Sequence, residues 1–271
     1  MYSNMKIAFL TTIFPMKSEL LYNFFDSLKI QTYKKFDVIV VNDNYNDFET
    51  LQTNYEVFLN IIELKYSNTP VKNREFGINY CIKNKYDILI FGDSDDYFDK
   101  NRIKKSIELL KISDIVVNDL SLFDESGVYE EKYISNRIEN NSIIDVEFIR
   151  DKNIFGLSNT AILLKNLTKV SLSNDLVAVD WYLFTLLLLD NTKAIFTNET
   201  VSYYRQYDAN TVGLKELDLE SLRIGVEVKK KHYKILKKVT NKYNDEIDRL
   251  ENIKLEVTSK KIENPLWWEL I

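Results

Sequence analysis

Residues 88–98 read ILIFGDSDDYF: four apolar residues and a glycine that run into Asp93, Ser94, Asp95 and Asp96. An apolar run without polar alternation suits a strand buried on both faces of a parallel sheet. In such a sheet ligands bind beyond the carboxyl ends of the strands, so these carboxylates face a crevice. In an extended stretch residues i and i+2 point the same way. Asp93 and Asp95 therefore converge on one ligand while Ser94 points elsewhere. Two carboxylates fit Mg2+ or Mn2+, which completes its shell with water and substrate phosphates. The competing reading is a solvated turn that caps a helix starting near Asp99, with Asp96 or Asp99 as N-cap.

Similar apolar runs occur at 7–10, 36–41, 61–64 and 114–117. Helical patterns lie between them, at 18–30, 71–84 and 100–112; in the first, Leu20, Leu21, Phe24, Phe25 and Leu28 form one stripe. This alternation predicts an α/β, Rossmann-like, mostly parallel sheet flanked by helices and joined by right-handed crossovers. Thr11, Thr12 and Pro15 follow the first strand, and Asn42, Asp43 and Asn44 follow the second. Asp43 thus matches the Asp93 cluster on another strand end, which favours a functional reading over a plain turn. GxGxxG and GxxxxGK[ST] are both absent, and the chain has only 6 glycines. NAD enzymes and P-loop NTPases are disfavoured.

Beyond residue 120 short extended stretches mix with Asn- and Ser-rich turns. Residues 180–190 read as a buried helix, 200–204 as a strand and 214–262 as almost wholly helical. Tyr233, Leu236, Val239, Tyr243, Ile247, Leu250, Ile253 and Val257 recur in steps of three or four. That stripe is expected to pack on the body of the protein, with dimerisation as the lesser option. Pro265 ends the pattern before Trp267 and Trp268.

The 271 residues carry a net charge of −5, which disfavours nucleic acid as a partner. One cysteine, Cys81, rules out an internal disulfide and any multi-cysteine zinc site. The one histidine, His232, sits in KKKHYK and reads as part of a solvated face. The N-terminus, MYSNMKIAFL, lacks signal-peptide features, and the most apolar window, 181–189, is too short to span a bilayer. A cytoplasmic location is expected. Lys229, Lys230, Lys231, Lys237 and Lys238, with the two terminal tryptophans, raise the option of peripheral contact with the inner face of the plasma membrane.

Taken in order, Thr-Thr-x-Phe-Pro at 11–15, Val-Val-Asn-Asp at 40–43, Asn-Arg-x-x-Gly-Ile at 73–78 and Gly-Asp-Ser-Asp-Asp at 92–96 resemble the inverting family-two glycosyltransferases of the GT-A fold. Val179-Asp180-Trp181 resembles the segment that carries that family's catalytic base. Tyr204-Arg205-Gln206-Tyr207 with Asn210-Thr211 resembles its Tyr-Arg closing motif. The resemblance divides the chain into a GT-A domain at 1–212 and a helical C-terminal extension at 213–271. Within the former, about 1–100 would be the nucleotide-binding half and 101–212 the acceptor half.

The resemblance implies roles. Asp43 would bind the nucleobase in a pocket shaped by Thr11, Thr12 and Pro15, and Arg74 would lie near the phosphates. Asp93 would face the ribose or a Mn2+ or Mg2+ ion, beside Ser94, and Asp95 would ligate that metal. Asp180 would deprotonate the acceptor hydroxyl; as a residue it could equally be a helix N-cap. Asp96, Gly156, Asn159 and Trp181 would line the acceptor side. Glu75 stands where the family often has Asn, and Tyr207 where many relatives place a metal-site histidine. The implied reaction moves a sugar from a nucleotide-sugar donor, a UDP-sugar by family tendency, to a glycan or lipid-linked acceptor, as in bacterial surface polysaccharide synthesis. A non-catalytic sugar-nucleotide-binding subunit and a nucleotidyltransferase are the alternatives; for the latter, 11–18 offers only Lys17 in place of a basic triphosphate loop.

Overall fold

The computed structural model describes residues 5–165, 167–206, 219–253 and 266–270. The chain runs β1 (Ile7–Ile13), α1 (Ser18–Lys29), β2 (Asp37–Asn42), α2 (Phe48–Tyr55), β3 (Asn60–Lys65), α3 (Pro70–Lys83) and β4 (Ile88–Phe91). There follow β5 (Tyr97–Phe98), α4 (Arg102–Leu109), β6 (Ile115–Asp124), β7 (Gly127–Glu130), β8 (Ile143–Ile144) and β9 (Thr160–Leu163). The last elements are α5 (Val179–Leu189), β10 (Ala194–Arg205), α6 (Leu219–Leu236), α7 (Asn244–Glu251) and a 3-10 turn, Trp267–Leu270. Among the described residues one sheet forms in the order β3-β2-β1-β4-β9-β6-β10-β5. The first four strands are mutually parallel, and β10 is parallel to β6. Strand β9 enters antiparallel between β4 and β6. The mixed, mostly parallel α/β architecture is the one the alternating pattern predicts.

Burial explains the uninterrupted apolar runs. In β1, Ala8 and Leu10 pack on one face of the sheet with Ile39, Val41, Leu89 and Phe91. Ile7, Phe9 and Ile13 pack on the other, with Val38, Val40, Ile88 and Ile90. Every position is therefore inside, one face alternating with the other. On the second face, Phe9 meets Phe24 of α1 edge-on at 5.8 Å and Phe98 at 5.2 Å. Burying each such ring contributes about 1.5–3 kcal/mol.

Helix α3 starts at a Thr69 cap with Pro70 in its first turn. It lies very close to the sheet at Gly77, where a Cβ would come within 2.7 Å of Leu10 and 2.9 Å of Val41. That approach brings Asn73 and Arg74, one turn earlier, over the strand ends.

Two expectations change. Helix α2 has no counterpart in the sequence reading, although Phe48, Leu51 and Tyr55 give it a buried stripe. The described part of the almost wholly helical 214–262 stretch is two helices with a non-helical break at 237–243, where the Thr240 hydroxyl accepts the Lys242 N–H. Tyr233, Leu236, Tyr243, Ile247 and Leu250 join the core on the first sheet face, while Val239 in the break is 60% exposed. Tyr207, Asn210, Thr211, Val257 and Pro265 lie outside the described residues. Among those described, no helix is long and apolar enough to cross a membrane.

Gly92 joins β4 to the aspartate cluster, and a Cβ there would meet Phe9 at 2.4 Å and Phe98 at 2.8 Å. Gly92→Ala should destabilise the fold by about 1–3 kcal/mol through overpacking, read as a lower denaturation midpoint.

Candidate active site

The carboxyl ends of β1, β2 and β4, the first turn of α3, the start of α5 and the end of β10 come together through Asp43, Asn73, Arg74, Asp93, Asp180 and Arg205. Asp43 leaves β2 with its N–H donating to the Ile13 carbonyl (2.8 Å), which ties it to the end of β1. Its carboxylate accepts from Asn73 Nδ2 at 2.8 Å. Asn73 is buried and its Oδ1 has no partner. A cavity of about 650 Å³ opens at this corner, lined by Asn42 and Asn44, the neighbours of Asp43, and by Glu63, Lys65, Tyr66 and Ser67.

The aspartate cluster is held from below and from both sides. The Asp93 N–H donates to the Ser158 hydroxyl at 2.9 Å, and its carboxylate faces Arg74 Nη2 at 3.5 Å. Enclosure pushes the Asp93 carboxyl above its usual range; Arg74 opposes the shift and Asp95 adds to it. Asp96 is fully buried, with Oδ1 accepting the Arg205 N–H at 2.8 Å. Burial, then Asp95 and Asp93, drive its carboxyl well above the usual value. Arg205 also donates from Nε to the Asp95 carbonyl at 2.9 Å. The end of β10 thus clasps the cluster through main-chain and side-chain bonds.

The counter-charge beneath is Arg102, which is fully buried in the first turn of α4. It donates to the Phe91 carbonyl (2.6 Å) and to Asn118 Oδ1 (3.1 Å), and its guanidinium lies 4.3 Å from the centre of the Phe98 ring. Burial lowers its pKa to about 9, against the pull of Asp96 and Asp93. It is therefore charged at neutral pH and offsets the Asp96 and Asp93 carboxyls above it.

Asp180 lies in the first turn of α5, whose N-cap is Ala178, so it is not the cap of that helix. Its Oδ1 accepts from the Trp181 N–H at 2.8 Å and from Asn153 Nδ2 at 3.2 Å. Burial raises its carboxyl to about 6; the two hydrogen bonds and Arg74 pull down, and Asp93 pushes up. Arg74 thus acts on both Asp93 and Asp180. The Tyr204 phenol, raised first by burial, also feels Asp96, Asp93, Asp95 and Asp180 together. Behind Asp180, Trp181 is fully buried, donates Nε1–H to the Ile149 carbonyl (2.9 Å) and stacks on His232 at 3.7 Å.

Thr11, Asp43, Arg74, Asp93, Ser94, Asp95 and Asp180 are thus gathered around the strand ends, with Thr12 and the exposed Pro15 on the β1 side. The residues expected on the acceptor side are placed differently. Asp96 and Trp181 expose no surface. Asn159 is 1% exposed and spends its amide on Gly156, Thr160, Asn118 and Ile154, which shapes the loop rather than a ligand. Gly156 is half-buried in that same turn. Asp96 caps no helix, because its partner is the end of β10. His232 is not on a solvated face but 2% exposed, and burial lowers it to about 3. Lys229 is fully buried too, donates to the Trp268 carbonyl at 3.1 Å, and is lowered by burial to about 8. Trp268 is itself buried. Of the other lysines in that stretch, Lys231, Lys237 and Lys238 are exposed and Lys230 is half-buried.

Among the described residues no three His, Cys, Asp or Glu side chains converge as a metal cage. The donor set suits a hard cation held by one or two carboxylate oxygens of Asp93 and Asp95, completed by phosphate and water. Buried polar groups without partners cluster here as well: Thr11 Oγ1, Asn73 Oδ1, Asp96 Oδ2, Arg102 Nη1 and Asn153 Oδ1. Such groups are rare unless a ligand, ion or water completes them.

The model of the family described as Glycosyl transferase family 2 matches residues 12–166. Among solved structures, the 1–349 fragment of S. aureus TarS in complex with UDP-GlcNAc is similar, with a TM-score of 0.59 at 17% identity, covering 91% of this chain and 79% of that one. The same fragment with UDP gives 0.57 at 17% identity, covering 93% and 76%. GalNAc-T7 with UDP, GalNAc and Mn2+ gives 0.62 at 10% identity; 90% of this chain covers 50% of that one. At these identities the likeness is one of fold. No curated protein matches the chain.

The raised Asp180 carboxyl makes a stability prediction. Between its ordinary value of 3.8 and about 6 the native state holds a proton that the unfolded chain has lost, so stability falls as pH rises through that window. Asp180→Asn removes the cost. The variant should be more stable than the parent at pH 7.5, by on the order of 1 kcal/mol because solvent still reaches the carboxyl. The gap should close near pH 4 in thermal unfolding.

Proposed function

The chain belongs to glycosyl transferase family 2, and on that premise we propose that it moves a sugar from a UDP-sugar to a hydroxyl of a glycan or lipid-linked acceptor, with inversion at the anomeric carbon. One observation carries the reading. A carboxylate raised to about 6, Asp180, lies within electrostatic reach of Asp93, the neighbour of Asp95 in the cluster, and Arg74 acts on both Asp180 and Asp93. Inverting displacement needs two walls, one for the leaving diphosphate and one for the attacking hydroxyl, and no enzymic nucleophile.

Asp43 would recognise the nucleobase, with Thr11, Thr12 and Pro15 shaping its pocket and the adjoining 650 Å³ cavity giving room. Ser94, 3% exposed with its hydroxyl donating to Met16 Sδ at 3.5 Å, would serve the donor side only by holding the turn that carries Asp93 and Asp95. UDP in the similar TarS and GalNAc-T7 structures supports the choice of nucleotide. Asp93 and Asp95 would hold a divalent cation, which when bound supplies neutralising charge for the diphosphate. Mn2+, seen in the GalNAc-T7 structure, is the first choice and Mg2+ the second. Arg74 adds a fixed positive charge beside that wall.

Asp180 would accept the proton of the acceptor hydroxyl. Near pH 7 it is ionised, and its raised value makes it a better base than an ordinary carboxylate. Its Oδ1 is held by Trp181 and Asn153, which aims the other oxygen.

Asp180→Asn should lower sugar transfer at least ~100-fold, within the range of a general base, while UDP binding stays within about twofold. A panel of UDP-sugars read by nucleoside diphosphate release gives the rate, and calorimetry with UDP gives the binding. Turnover retained in this variant would place the base elsewhere.

A further inference from the structure

One face of α3 reaches towards the donor and the opposite face is bonded to the chain that leads into α5. Asn73 and Arg74 address Asp43 and Asp93. Thr69, Lys72, Glu75 and Asn79 address residues 170–174 instead. The Asn79 amide pairs with Val170 in both directions: Nδ2 donates to its carbonyl at 2.8 Å, and its N–H donates to Oδ1 at 2.8 Å. Two residues on, the Leu172 N–H donates to Glu75 Oε2 at 2.6 Å, and Lys72 Nζ donates to the Leu172 carbonyl at 2.8 Å. Lys72 and Glu75 are themselves paired at 2.8 Å. Two residues further, the Thr69 hydroxyl donates to Asn174 Oδ1 at 2.8 Å.

The spacing has a simple physical meaning. Along an extended chain the N–H and C=O of one residue point to the same edge, and those of residue i+2 repeat it. Val170 and Leu172 present such an edge, and helix side chains satisfy it where a neighbouring strand normally would. Both residues also bury their side chains in the core. The segment is pinned from the helix and from the core together. Seven residues separate Leu172 from Asp180, and Leu176 and Val179 among them are buried as well.

We propose that Lys72, Glu75 and Asn79 are positioning residues: they strap the 170–174 segment to α3 and so hold Asp180 in the frame of Asn73 and Arg74. This rests on reading Asp180 as the base and adds what fixes its distance from the donor wall. Displacing a catalytic group by about 1 Å can cost on the order of 100-fold in rate, so a shared rigid helix is an effective way to hold two walls in register. The strap also gives Glu75, a departure from the Asn common in the family, a role of its own. It contacts the Leu172 backbone and not the donor side.

The Trp181 N–H, bonded to Asp180, reports the local geometry without turnover. In the full chain, Glu75→Ala combined with Asn79→Ala should speed amide exchange at Val170, Leu172 and Trp181 by roughly tenfold or more. Affinity for UDP with Mn2+, measured by calorimetry, should stay within about twofold. The kcat for transfer should fall roughly 10- to 100-fold at nearly unchanged donor KM. Glu75→Gln, which keeps an acceptor for Leu172, should leave Trp181 exchange within about twofold. Asn79→Ala alone is the milder variant should the double one unfold, with the same directions expected. Faster exchange at Val170 and Leu172 with Trp181 unchanged would overturn the strap. Turnover retained in Asp180→Asn would instead overturn the base reading, and the two failures are seen by different measurements.

Discussion

Mutual repulsion among Asp93, Asp95, Asp96 and Asp180 is the constraint around which this end of the molecule is built. Like charges in a partly desolvated crevice cost several kcal/mol unless something offsets them. The offset is distributed. Arg102 is buried beneath the cluster, Arg74 acts on both Asp93 and Asp180, and the Arg205 main chain and side chain clasp Asp96 and Asp95. Enclosure raises the Asp93, Asp96 and Asp180 carboxyls together. Asp96 Oδ2 and Arg102 Nη1 are buried there without hydrogen-bond partners, as in a site that a ligand, ion or water completes.

The sheet supplies the rest of the geometry. Parallel β1, β2 and β4 end at one rim, so residues far apart in sequence arrive there side by side. Helix α3 crosses that rim closely because Gly77 has no Cβ to keep it off Leu10 and Val41. One helix can then touch Asp43, the aspartate cluster and the chain that enters α5. Behind α5, the Trp181–His232 stack anchors the opposite wall to α6, which gives the C-terminal helices a structural part in the site.

Much of this was legible in the residues. Apolar runs without alternation marked strands covered on both sides, and the two core clusters on β1 show why. The strand ends pointed to Asp43, Asp93 and Asp95, but the i, i+2 argument fails, because Ser94 and Asp95 sit in a turn closed by the Asp96 N–H on the Asp93 carbonyl at 3.2 Å and not in an extended stretch. Asp96 was not legible, because its partner is an N–H on β10, 109 residues away. Arg102 was missed because an arginine in the first turn of a helix ordinarily reads as solvated. His232 and Lys229 were misread as surface because neighbouring charges dominate KKKHYK. A periodic signal was present: Leu222, Val226, Tyr233 and Leu236 are buried at helical steps, and position 229 falls on that stripe. Composition hid what spacing held.

The central claim is that the carboxylate cluster is one half of a cation–diphosphate site. Its most direct test is calorimetry of UDP binding in Mn2+ and in EDTA, with the parent and with Asp95→Ala. Mn2+ should tighten UDP binding at least ~10-fold in the parent, about 1.4 kcal/mol, and Asp95→Ala should lose most of that gain. Equal UDP affinity with and without the metal, or a gain that survives Asp95→Ala undiminished, would contradict the claim.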